Sequence, residues 1–234
     1  MGQSICEHLA HAGCRVAVLD LAGGDAEATA TTLRNQGHRA LGAQVDVADR
    51  GSVERAYALV RSEFGPIEVL VTSAAVSGFV PFEEITLDDW NRTLAVNLTG
   101  TFHCVQAAIG DMVAAGWGRI VTISSAAGQT ASPRQGHYSA SKAGVIGLTR
   151  TLAAEYAGRG ITVNTIPPFV VDTPMLRAAQ QAKHVFPTEY LLRAVPAGRL
   201  GTGDDIAAAC AFLCSDGAGY LTGQVIADNG GAVT

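Results

Sequence analysis

The feature that most constrains the fold is an alternation. Short, nearly uninterrupted apolar runs, RVAVLD, ALGAQVDV, IEVLVTSAA, GRIVTISS, ITVNTI and a last one in GQVIADNGG, are separated by longer amphipathic stretches. Strands without alternating polar positions are covered on both faces, as happens when crossover helices lie on each side of a parallel sheet. Helices are expected over 25–36, ended by Gly37, and over 49–64, stopped by Gly65-Pro66. Thr86 and Asp89 form a capping box that opens a long helix over 87–115, another helix spans 138–157, and Thr202 with Asp205 caps one more. Residues 174–198 read as mobile helical segments. No linker, low-complexity tract or change of composition divides the chain. The expectation is one α/β domain over residues 1–234: a doubly wound parallel sheet with helices on both faces.

Composition narrows the function classes. Apolar residues are 48% of the chain, charged residues 16%, and the formal charge is −5. With no basic run there is no nucleic-acid footprint. No uncharged apolar stretch reaches the roughly 18 residues of a membrane span, and no basic segment precedes an apolar one at the N-terminus as in a signal peptide. A cytoplasmic protein is expected. Cys6, Cys14, Cys104, Cys210 and Cys214 show no CxxC spacing and read as small buried hydrophobes, with no metal site.

The chemistry concentrates in SSAAGQTASPRQGHYSASKAG. Tyr138 and Lys142, four apart at a helix start, share one face. An ammonium beside a phenol favours the phenolate and lowers its pKa from about 10. Such a tyrosine can give a proton to a carbonyl or take one from an alcohol. Ser125, at the end of GRIVTISS, can hydrogen-bond the same oxygen. His137 reads as a loop histidine near the site mouth without a role, and Phe79, Phe82 and Trp90 as core packing in preference to a pocket lining.

Taken together, these residues resemble the short-chain dehydrogenase/reductase family over essentially the whole chain. The family's YxxxK is Tyr138-Ser-Ala-Ser-Lys142, its ISSxxG is Ile123-Ser-Ser-Ala-Ala-Gly128, and its NxxG is Asn97-Leu-Thr-Gly100. The resemblance implies a Rossmann-like fold with Tyr138 as general acid/base and Ser125 orienting the substrate. It further implies that Lys142 tunes the tyrosine and holds the nicotinamide ribose, while Asn97 anchors a proton-relay water. The implied reaction is NAD(P)-dependent interconversion of a secondary alcohol and a ketone, with residues 174–198 as a substrate lid. By the same likeness the helices over 87–115 and 138–157 form subunit contacts, giving a homotetramer or, failing that, a dimer.

On the cofactor side, the family's first strand leads into TGxxxGxG, whose glycines let backbone approach a pyrophosphate at a helix N-terminus. MGQSICEHLA matches only the end of that motif, with Gly2 as its last glycine. Either the natural start lies upstream or the cofactor site is a divergent one. A sheet without that central strand is expected to expose apolar neighbours and to bind cofactor more weakly. Asp20, with Leu21 after it, falls at the ribose position; a carboxylate there repels a 2′-phosphate and favours NAD over NADP, with Arg15 as a counter-signal. Asp46 and Val47 match the adenine-contacting pair. The family's NNAG is Thr72-Ser73-Ala74-Ala75, placing Ser73 and Ala74 at the cofactor, and its PG is Pro168-Phe169. Phenylalanine lacks glycine's conformations, so a reshaped loop is expected there. Val171 and Thr173 fall at the nicotinamide-amide positions. Two rival readings stand beside this one: an NADPH-dependent 3-oxoacyl reductase acting on carrier- or CoA-bound substrates, and a cofactor-poor, non-catalytic binding or assembly subunit.

Overall fold

The computed structural model describes residues 1–233. Helix α1 (Gly2–His11) leads to β1 (Val16–Asp20), α2 (Gly23–Asn35), β2 (Ala40–Gln44), α3 (Arg50–Phe64) and β3 (Val69–Thr72). Helix α4 (Leu87–Leu94) passes through a π-helical turn, Ala95–Thr99, into α5 (Gly100–Ala115). Strand β4 (Gly118–Ile123), α6 (Gly136–Tyr156) and β5 (Ile161–Ile166) follow, then α7 (Pro174–Gln181), α8 (Thr188–Leu191) and α9 (Gly203–Leu213). The expected capping boxes form at Thr86–Asp89 and Thr202–Asp205, and Asp49 caps α3 by accepting from Gly51 N.

All strand pairs are parallel. β1 pairs with β2 from Val16↔Ala40 to Asp20↔Gln44, while β3, β4 and β5 pair in that order. Neighbouring residues of β4 point to opposite faces. Ile120 packs with Val53, Tyr57, Met112 and Val163; Val121 and Ile123 pack with Ile5, Leu9, Ile206 and Leu213 of α1 and α9. Helices therefore cover both faces, as the unbroken apolar runs require.

No ladder joins β1 to β3 among the described residues, so the sheet is in two parts that share one core: Val16 and Val18 of β1 belong to the same cluster as Val121 and Ile123. Val16 N donates to Arg39 O, and Asp20 O accepts from Val45 N. The even-numbered residues of β1 thus bond to β2, and Ala17 and Leu19 turn their backbone groups to the other edge. Glu68 O accepts from Arg119 N, so by the same period Val69 and Val71 turn theirs away from β4. Every residue of β3 is half-buried, whereas every residue of β4 and β5 is buried.

The last apolar run departs from expectation. GQVIADNGG follows β5 through Gly223 N to Val163 O, Thr165 N to Gln224 O and Ile226 N to Thr165 O, but forms only an isolated bridge, Thr165↔Val225. Gly223 (φ 71°) turns the chain as the segment begins, and the Asn229–Gly231 turn bends it away as it ends. Among the described residues no helix is long and apolar enough to cross a membrane.

Candidate active site

The C-terminal ends of β3, β4 and β5 converge on the first turns of α6. Beyond β4, the Ser125 side chain accepts from Ala127 N at 3.2 Å, turning the chain into a short 3₁₀ segment. Gly128, at the end of that segment, lies against α6: a Cβ there would stand 2.8 Å from the Lys142 carbonyl carbon, so only glycine allows this approach. Ala126 N donates to Pro168 O (2.9 Å), which ties the same loop to the chain leaving β5.

Tyr138 and Lys142 share a face of α6, as their spacing predicts, and Lys142 Nζ lies 5.8 Å from the Tyr138 ring centroid. The electrostatics differ from expectation. Burial raises the phenol's pKa, a hydrogen bond with the Ser125 side chain partly opposes that, and the lysine contributes no resolved lowering. Lys142 is itself buried; loss of solvation brings its pKa down from 10.5 to about 8, and its ammonium donates to Ile123 O at 2.9 Å. Desolvation of both groups therefore outweighs their mutual attraction. The resting tyrosine is a phenol, a proton donor, at neutral pH.

Asn97 sits on the π-helical turn, fully buried, with both amide hydrogens and one lone pair of its side-chain oxygen taken by protein partners. Its amide donates to Val76 O (2.9 Å) and Ser141 Oγ (3.0 Å), and its Oδ1 accepts from Val76 N (2.8 Å). Its backbone carbonyl accepts from Thr101 Oγ1 at 2.8 Å. Ser141 is a site residue the motif reading passed over. Its hydroxyl accepts from Asn97 and donates to Tyr138 O at 2.7 Å, so it joins the asparagine to the tyrosine's own turn. The available signal was its place three residues after Tyr138, one helical turn on.

Two readings are corrected. His137 is not on a loop at the mouth but in the first turn of α6, 2% exposed. Its Nε2 lies 3.1 Å from where a Cβ on Gly78 would sit, because the loop after β3 folds down onto the helix start. Phe79, Phe82 and Trp90 are not core. Phe82 is 79% exposed and lines an open hollow with Ile85, Leu87 and Trp90, while Phe79 meets His184 with ring centroids 5.9 Å apart.

The expected cofactor residues gather along the same edge. Asp20 is exposed at the end of β1; its Oδ1 accepts from Ala22 N at 2.9 Å, which leaves Oδ2 uncommitted, and Leu21 beside it is exposed. Arg15 precedes the opposite end of this strand, about 16 Å away at 3.3 Å per residue, and bears on nothing at Asp20. Asp46 is held by Ser52 Oγ on its N–H and by Ala48 N on its carboxylate, with Val47 after it. Gly2 opens α1 against the end of β3, where a Cβ on it would lie 3.9 Å from Ser73 Oγ; Ala74 is exposed next to it. Pro168 is buried and Val171 bridges to Gly201, while Thr173 Oγ1 accepts from Leu176 N and caps α7. Phe169 is not among the positive-φ residues, so its loop needs no glycine conformation. An exposed carboxylate oxygen, a glycine at the start of α1 and an ammonium with only a carbonyl partner fit the hydroxyls and phosphates of a dinucleotide.

Comparison with known proteins agrees with this arrangement. The sequence profile described as enoyl-(acyl carrier protein) reductase matches residues 1–233. The chain is 42% identical to D-threitol dehydrogenase of Mycolicibacterium smegmatis over 231 residues, 99% of this chain and 88% of the relative. It is 36% identical to a 3-oxoacyl-(acyl-carrier-protein) reductase of Aquifex aeolicus, covering 99% and 92%. A gluconate 5-dehydrogenase of Burkholderia cenocepacia, solved with NADP and tartrate, superposes with a TM-score of 0.91 at 31% identity, covering 98% of this chain and 89% of that one. With profile, sequence and fold in agreement along its length, the chain belongs to the short-chain dehydrogenase/reductase family, NAD(P)-dependent oxidoreductases that interconvert alcohols and ketones.

Proposed function

We propose that this protein is an NAD-preferring dehydrogenase of a small, polyhydroxylated secondary alcohol, with Tyr138 carrying the proton. The observation that supports the chemistry best is the convergence of Ser125, Tyr138 and Lys142 where β4 meets α6. When bound, the nicotinamide supplies the centre that accepts or gives up hydride. Tyr138 Oη takes the hydroxyl proton as an alcohol becomes a ketone and returns it in the reverse direction. Ser125 steadies the substrate oxygen against the phenol. Lys142 holds the ribose and keeps positive charge near the tyrosine, and Asn97, through its carbonyl, offers an exit for the proton.

Asp20 supports NAD, since no basic residue adjoins it in Asp20-Leu21-Ala22-Gly23. Replacing Asp20 with alanine is expected to erode the preference for NADH over NADPH by about 10–100-fold, because a repelling charge is removed from the 2′ position. Fluorescence titration of both coenzymes measures this, and an unchanged ratio would move the specificity element elsewhere.

The relatives that act on threitol and gluconate point to a polyol or sugar acid as substrate. The lid favours this over a carrier-bound thioester. Arg177 is paired with Asp172 and Arg193 lies over the Tyr190 ring, while Glu189 adds negative charge on the lid and Glu83 and Glu84 on the turn before α4. No uniform basic rim faces an acidic carrier. The apolar exposed positions on α5, such as Phe102, support the homotetramer, and light scattering tests it. The first experiment is titration of NADH and NADPH into the 234-residue chain, followed by initial rates with D-threitol and gluconate plus NAD⁺ and with a 3-oxoacyl thioester plus NADPH. Turnover of the thioester alone would replace this reading with the reductase; tight binding of neither coenzyme would favour the non-catalytic one.

A further inference from the structure

The segment 174–198 is fastened differently at its two ends. At its start, Arg177 grips both oxygens of Asp172 at 2.9 Å each, and Thr173 caps α7. At its end, residues 195–201 run between two elements. On one side, Gly201 N donates to Val170 O (3.0 Å) and Asp172 N to Gly201 O (2.9 Å), beside the positions assigned to the nicotinamide amide. On the other side, Ala197 N donates to Gly230 O (3.0 Å) in the C-terminal turn. Asn229 builds that turn: it accepts from Gly231 N at 2.9 Å, donates to Val233 O at 2.8 Å and is itself buried. Just downstream, Arg199 pairs with both oxygens of Asp205 at 2.7 and 2.6 Å, fixing the end of the segment to α9.

Gly230 is the tightest point. Its φ is 63°, and a Cβ there would stand 2.7 Å from Val195 Cγ1 and 3.2 Å from Ala197 Cβ. Val195 is buried, whereas Phe186 and Tyr190 upstream are exposed. Val195, Gly230, Phe169 and Val171 also share the wall of a cavity of about 70 Å³.

We propose that the C-terminal turn 229–231 is the seat of the lid's downstream hinge, and that Gly230 is a positioning residue for closure over substrate. The inference rests on reading 174–198 as a lid. With 195–201 clamped from both sides, movement is confined to the part upstream of Val195, and the turn sets the register in which that part closes beside Val171.

The test is Gly230→Ala alone and combined with Val195→Ala, which deletes the methyl the new Cβ would strike. Gly230→Ala is expected to raise the KM for the alcohol about tenfold and to speed tryptic cleavage after Lys183 by a similar factor, since hinge strain misplaces the lid. The NADH dissociation constant stays within about threefold, because only the loop after β5 adjoins the hinge, and Gly2, Asp20 and Asp46 lie on other elements. The double variant recovers the part of both effects that comes from the Val195 clash, while the strain of alanine at a φ of 63° remains. Should Gly230→Ala not fold, Ala197→Pro, which withdraws the N–H that Gly230 accepts, is expected to give the same readings. Unchanged cleavage and KM, or loss of NADH binding in step with KM and no recovery in the double variant, overturns the proposal. If the native protein turns over no alcohol, the functional reading fails, and the cleavage arm still decides the hinge.

Discussion

Tyr138→Phe is expected to cut alcohol oxidation and ketone reduction by about 10²–10⁴-fold while leaving NADH binding within a small factor. The substitution removes one oxygen and keeps the ring. Helix α6 and its contact with Lys142 then persist, as does the Ser141 hydrogen bond, which is made to the Tyr138 backbone carbonyl. What disappears is the only titratable hydroxyl that the Ser125 side chain meets there. Burial holds the phenol's pKa up, so the native enzyme rests with this proton in place and is poised to protonate a carbonyl. Oxidation, which needs the phenolate, is expected to gain rate as pH rises, a slope that Tyr138→Phe abolishes. Stopped-flow binding and steady-state rates on the same preparation separate the two effects. A variant that keeps more than a tenth of native turnover would remove Tyr138 from the proton path.

Much of this was legible in the sequence, for identifiable reasons. Four-residue spacing on a helix fixes a shared face, so the spacing alone pairs Tyr138 with Lys142, and the unbroken apolar runs imply a sheet covered on both sides. What was not legible depends on distant partners or on the balance of opposing terms. The sign of the Tyr138 shift required knowing that desolvation exceeds the lysine's attraction. The hydrogen bonds of the Asn97 side chain depend on Val76, 21 residues away, and on Ser141, 44 residues away. His137 was read as a loop residue because nothing local shows that Gly78 folds onto it. Hydrophobicity alone points Phe82 and Trp90 to a core, whereas they line an open hollow on the surface. The final run, GQVIADNGG, has strand composition but makes one bridge, since a turn at each end limits its length.

Lys142→Met is expected to make the protein more stable at neutral pH and nearly inactive. Burial depresses the lysine's pKa from 10.5 to about 8 in the folded state, while the unfolded chain keeps the ordinary value. Below pH 8 both states hold the proton, and the fold bears the full cost of a buried ammonium. Between about pH 8 and 10 the folded lysine loses its proton and the unfolded one does not, so the lysine's penalty falls by about 2 kcal/mol as pH rises through that window. Methionine has a similar length and no charge, and it leaves only the Ile123 carbonyl without its donor. Other buried groups also titrate at high pH: the Cys6 thiol is pushed up to about 11 by burial, which works in the opposite direction. The informative quantity is therefore the difference between the two proteins, in which those groups cancel. Urea unfolding at pH 7 and pH 10 is expected to show the methionine variant's advantage shrinking by about 2 kcal/mol, while turnover at either pH falls by at least about 10²-fold. A stability difference that does not change with pH would mean that Lys142 keeps its ordinary pKa in the fold. The lysine would then be solvated or paired, and its retention at this position would carry no cost for function to offset.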